Sequence, residues 1–143
     1  MAVPSCTYNT YSEPTSGSGT GSTCKFHAFT RDLNANAGDW QFDNSANMYF
    51  AHFDVADITN DVYKYGVITV SHEYTAQSAG SYLVALPETM YRETTVDDNP
   101  YYYQQHIDYA VGVGFVEIFI TISDYYYDDF EPEAMKFRLQ AVY

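Results

Sequence analysis

Met135-Lys-Phe-Arg-Leu-Gln-Ala-Val-Tyr143 is the stretch on which the fold turns. Met135, Phe137, Leu139, Ala141 and Tyr143 point one way along an extended chain, and Lys136, Arg138 and Gln140 point the other. Alternation with a period of two marks a strand buried on one face and wet on the other, the pattern of antiparallel sheets. Val67–Tyr74 repeats it, with Ile68, Val70, His72 and Tyr74 opposite Thr69, Ser71 and Glu73. In Met48–Asp54, Met48, Phe50 and His52 alternate with Tyr49, Ala51 and Phe53.

Further strands are expected at Lys25–Leu33, Ser81–Leu86, Tyr101–Val111 and Phe115–Ile122. Ala110-Val-Gly-Val-Gly114 reads as the hairpin turn between the last two. Pro87 and Pro100 fall at strand ends, where a missing N–H does least harm. One segment has another period: Ile58, Val62 and Tyr65 share a helical face. Asp57 is placed to cap that helix and Gly66 to take a left-handed position at its end. The expectation is an all-β protein, an antiparallel β-sandwich of jelly-roll-like form. It has seven or eight strands and one short helix near residues 57–65. The Cys…Trp…Cys order of antibody domains is absent, because Trp40 follows both cysteines.

A chain of 143 residues fits one domain, and a 46% hydrophobic content excludes general disorder. The division expected is a polar arm over residues 1–24 and a single sandwich over 25–143. Formal net charge is −13, and the six basic residues do not cluster. Nucleic acid is therefore not an expected partner, since its affinity comes from cations set against phosphates. No apolar run approaches membrane-spanning length. Met1-Ala-Val-Pro-Ser-Cys6 has neither a basic nor an apolar leader region, so a secretory signal is not expected. Trimming of a secreted protein, or export by another route such as lytic release of virus particles, fits that start.

Cys6 and Cys24 flank Ser16-Gly-Ser-Gly-Thr-Gly-Ser-Thr23, with none of the ligand pairing of a zinc site. A bridge between them would tie a flexible loop, stabilising by about 3 kcal/mol in the chain-entropy view. It would suit an extracellular or virion setting; two free thiols are the alternative. Such an arm buries little apolar surface, Tyr8, Tyr11 and Val3 being its sizeable anchors. It is expected to extend from the sandwich or lie along a neighbouring subunit.

The acidic run Asp124-Tyr-Tyr-Tyr-Asp-Asp-Phe-Glu-Pro-Glu133 makes Asp124, Asp128 and Asp129 a calcium candidate. The spacing lacks the central glycine of an EF-hand loop, and solvation is the reading preferred. His27, His52, His72 and His106 fall on separate strands, and His52 and His72 read as packed or partly buried side chains, not ligands. No cofactor and no resident metal is expected. Gly17-Ser-Gly lies in the polar arm, outside any strand-turn-helix context, and no pair of acids stands out. An enzyme is not expected.

Tyrosine is the chemistry this sequence has in surplus, with 16 of them beside nine phenylalanines. Tyr101, Tyr102 and Tyr103, and Tyr125, Tyr126 and Tyr127, place successive rings on opposite faces of an extended chain. Tyr supplies large contact area at low rotamer entropy, and its ring also stacks on sugars. Cross-strand pairing accounts for part of the surplus.

The order of elements adds a resemblance. Ile58-Thr-Asn-Asp-Val-Tyr-Lys-Tyr-Gly66 leads into a Val-rich strand, an apolar strand ends in Leu86-Pro87, and Phe115–Ile122 and Phe137-Arg138-Leu139 follow. Over about residues 40–143 this resembles a poorly characterised domain of small surface proteins and lipoproteins of Bacteroidota. That domain is often placed after collagen-like repeats, and the fibre and decoration proteins of phages infecting these bacteria use similar modules. The resemblance implies an exposed, non-enzymatic module. This sequence departs from that pattern in having no Gly-x-y repeats, and a lipoprotein signal is not expected from its first residues. The expected function is structural: a self-associating component of an extracellular or virion surface, partnered by itself and by other surface proteins. The alternative is a glycan- or protein-binding adhesion module.

Overall fold

The computed structural model describes residues 27–76, 78, 80–96, 98–123 and 130–143. Their order is β1 (Ala28–Ala35), β2 (Gln41–Asp43), β3 (Met48–Asp54), α1 (Asn60–Tyr65), β4 (Val67–Ala76), β5 (Gly80–Ala85), β6 (Glu88–Val96), β7 (Asn99–Gly112), β8 (Phe115–Ile122) and β9 (Met135–Val142). A 3-10 turn, Ala37–Asp39, lies between β1 and β2. All pairings are antiparallel. They form a four-stranded sheet, β1-β9-β4-β5, and a five-stranded sheet, β2-β3-β8-β7-β6. β1 nests against β9 and β3 against β8, which is the roll-like part of the topology. The β4–β5 hairpin and the β6–β7–β8 meander complete it.

The alternation read in β9 is what builds the core. Met135, Phe137, Leu139 and Ala141 are buried, as are Val116, Ile118, Ile120 and Ile122 of β8. Leu33, Ala51, Val70, Ile107 and Trp40 join all of these but Ile122 in one cluster between the sheets. Each Val, Leu, Ile, Phe or Met side chain among them contributes about 1.5–3 kcal/mol on leaving water. Tyr143 departs from the pattern at 43% exposed. It lies past the end of β9, where its backbone pairs with His27 and its ring stacks on the imidazole at 5.5 Å.

Two strands beyond the expected set appear, the three-residue β2 and the nine-residue β6. The first strand runs Ala28–Ala35. α1 is capped by Thr59, whose hydroxyl accepts from the Val62 N–H, and not by Asp57, whose carboxylate accepts from Arg31 at 2.7 Å. Gly66 is extended, with φ −84°, not left-handed. Glycine is required there for space, since a Cβ would sit 2.6 Å from the Val62 carbonyl and 3.2 Å from that of Val142. β7 continues to Gly112, so the hairpin closes on Val113-Gly114, with Gly114 at φ 85°.

Candidate binding site

β5 and β6 are edge strands of the two sheets. There the inward rows turn polar. His72 and Tyr74 of β4 face Glu88 at the start of β6: His72 Nδ1 lies 2.6 Å from Glu88 Oε1, and the Tyr74 hydroxyl donates to the same oxygen at 2.9 Å. The His72 and Glu88 side chains are 6% and 9% exposed. Burial and then the Glu88 hydrogen bond push the Tyr74 phenol well above the ordinary tyrosine range. The Tyr82 ring stacks on Tyr74 at 5.4 Å, and its outer side is open.

One step further along β6 and β7, Arg92 stands opposite Tyr103, and Met90 opposite Gln105. Arg92 Nε donates to Gln105 Oε1 at 2.9 Å, and its Nη2 reaches Glu133 at 3.3 Å. A guanidinium can only donate, so the Gln105 atom facing it is the oxygen and the amide nitrogen points elsewhere. Gln105 is 1% exposed, and its Nε2 has no hydrogen-bond partner among the described residues. Buried polar groups left this way are few in folded proteins.

These residues border two adjoining hollows. One, of about 280 Å³, runs from Gln105 and Arg92 past Tyr103 to Phe130 and Glu131. The other, of about 310 Å³, shares Arg92, Glu133 and Met135 and reaches His72 and Tyr74. The wall around Phe130 is anchored from beneath: the Tyr49 hydroxyl donates to the Phe130 carbonyl at 2.9 Å, and Trp40 Nε1 to that of Glu133 at 3.1 Å. Tyr103 meets the Phe130 ring edge-on at 6.0 Å. Burial raises the pKa of Tyr103 and, with help from Glu131, that of Tyr49.

A second surface lies on the outer side of the five-stranded sheet. Its pairing register puts Phe50 opposite Phe119, His52 opposite Glu117 and Tyr91 opposite Gln104 on that face. Tyr91 is 80% and Tyr102 64% exposed. Phe50, Phe115 and Phe119 are part-exposed. His52 lies over the Phe115 ring at 5.2 Å and contacts Glu117 at 3.1 Å. The outer side of the four-stranded sheet carries no aromatic cluster: Arg138 bridges Asp32 and Glu73 there, beside the exposed aliphatic side chains Val67, Val142 and Leu83.

The tyrosines singled out in β7 therefore divide. Tyr102 faces outward, while Tyr101 and Tyr103 are half-buried on the inward rows. Tyr8, Tyr11, Tyr125, Tyr126, Tyr127, Cys6, Cys24 and the calcium candidate Asp124, Asp128 and Asp129 lie outside the described residues. Among the described residues no group of three or more His, Cys, Asp or Glu side chains is arranged to hold a metal ion. No described helix is long and apolar enough to cross a membrane. The sequence did not single out Arg92, Gln105, Tyr91 or Phe119. Comparison with protein-family models, with curated proteins and with solved structures finds no match for this chain.

Proposed function

We propose that this protein is a non-enzymatic structural component of an extracellular or virion-surface assembly, self-associating through the outer face of its five-stranded sheet. The observation that carries the reading is the exposure of Tyr91 and Tyr102 on a face that also presents Phe50, Phe115 and Phe119. In a sandwich standing alone that side is expected to be mostly polar; the opposite sheet exposes aliphatic Val67, Val142 and Leu83 among polar side chains, but no such group of rings. A second copy is the occupant that fits. Aromatic rings pack against aromatic rings edge-on or offset, so such a face is complementary to itself across a two-fold axis. Five strands about 4.8 Å apart and some eight residues long offer roughly 650 Å², close to the share of about 800 Å² per partner in a stable interface.

Charge works against this contact. At −13 per chain, two copies repel, so association depends on screening by salt. The resemblance to surface modules of Bacteroidota and their phages points the same way as the aromatic face. The test is a Tyr91→Ser, Tyr102→Ser double variant followed by size-exclusion with light scattering. The wild type is expected to elute as an oligomer and the variant, with unchanged circular dichroism, as a monomer. A monomeric wild type at high concentration and moderate salt contradicts the proposal.

A second reading, an adhesion module that binds glycan or protein, is favoured by the hollow at Gln105.

A further inference from the structure

The geometry points to the hollow bordered by Gln105, Arg92, Tyr103 and Phe130 as a binding site for a neutral saccharide. This inference rests on the adhesion reading and gives it an address. The buried amide is the starting point. Gln105 Nε2 carries two N–H donors inside the sandwich and meets no acceptor among the described residues. Such a group is costly to leave unmade; the nitrogen is enclosed, but Gln105 lines the hollow, so a turn of its side chain lets a ligand oxygen recover that cost. The ligand must therefore present an acceptor inward.

The rim sets the ligand's charge. Glu93, Glu131 and Glu133 line the same hollow, against the single cation Arg92, in a chain already strongly acidic. Phosphate, sulfate or a uronic acid would be repelled. An ammonium would suit the rim but supplies no acceptor to Gln105. Hydroxyl groups do both, accepting from Gln105 Nε2 and donating to the carboxylates. Arg92, held in place by Gln105 Oε1 and Glu133, adds further donors in a fixed plane. Tyr103 and Phe130 supply the apolar surface that the C–H face of a sugar ring needs. The hollow of about 280 Å³, with its neighbour of about 310 Å³, falls in the size range of small-molecule sites.

The test follows the side-chain amide of Gln105 by NMR in the full-length protein, titrated with maltohexaose, cellohexaose, xylohexaose and mannohexaose. A galacturonate hexamer serves as the anionic probe. At least one neutral probe is expected to shift the Gln105 amide together with ring signals of Tyr103 and Phe130, and the galacturonate is not. Gln105→Met keeps the side chain's length and removes the donors. It is expected to weaken binding about tenfold, the equivalent of one lost hydrogen bond. The wild-type titration stands on its own if that variant folds poorly. A probe that binds but leaves the Gln105 amide unmoved overturns the site while leaving the adhesion reading in place. Silence from every neutral probe overturns both. Binding of the galacturonate alone overturns the charge argument, and the assignment with it.

Discussion

Tyr74 shows how one side chain can report on the open side of the sandwich. Its phenol is held neutral by burial and by donating to Glu88, so its folded pKa lies above the value in an unfolded chain, about 10. The unfolded state then loses this proton first as pH rises, and the fold holds it longer. Stability from this source is complete below about pH 10 and declines above it. Tyr103 and Tyr49 shift in the same direction and add to the trend. Urea midpoints measured from about pH 8 to about pH 11 are expected to fall at the alkaline end, and less steeply in Tyr74→Phe. A midpoint independent of pH over that range would mean that the phenol is not shielded.

At the scale of elements, α1 is held by two local devices that can be separated. Thr59 caps its start, and the close pass of Gly66 under Val62 and Val142 fixes its end. Gly66→Ala forces a Cβ against a backbone carbonyl and is expected to cost about 1–3 kcal/mol, as overpacking does. Gly38→Ala, with nothing within 4 Å of its would-be Cβ, is the control expected to stay near wild type. Chemical denaturation of the pair distinguishes crowding at Gly66 from a general intolerance of glycine replacement. Equal midpoints for the two variants would remove the close-approach explanation.

Legibility also varied element by element, for a physical reason. β8 and β9 could be read because every inward position is apolar, and α1 because its period differs from its surroundings. β6 was not read as a strand. Its inward positions include Glu88 and Arg92 beside Met90, so the alternation that signals burial is missing there. β2 is too short to carry a period. The same polarity hid the candidate site. Gln105 looks like any surface amide in sequence, and only the pairing of β6 with β7 beneath Phe130 buries it. The tyrosine triplet in β7 was legible as a surplus of rings, but which ring faces outward depends on register. Tyr102 was set outward and Tyr103 inward by the β6 pairing, not by local sequence.

For the whole molecule, the described strands all lie beyond residue 27, and their core cluster begins at Leu33. Deleting residues 2–23 is therefore expected to leave the thermal transition of the sandwich nearly unchanged. If the arm reaches a neighbouring subunit, the same deletion lowers the oligomer population in mass photometry. A deletion that unfolds the domain would show that the arm belongs to its core.

The most direct measurement is sedimentation equilibrium of the full-length protein across ionic strength. Contact through an aromatic face between copies that each carry −13 is opposed by repulsion and driven by apolar burial. Both effects favour association as salt rises from about 0.01 M to about 0.5 M, where the screening length shrinks several-fold. A dissociation constant that falls with salt in the wild type, and no association in the Tyr91→Ser, Tyr102→Ser variant, is the expected result. A protein that stays monomeric at every salt concentration, or an oligomer untouched by that double substitution, contradicts the assignment of this face as the interface.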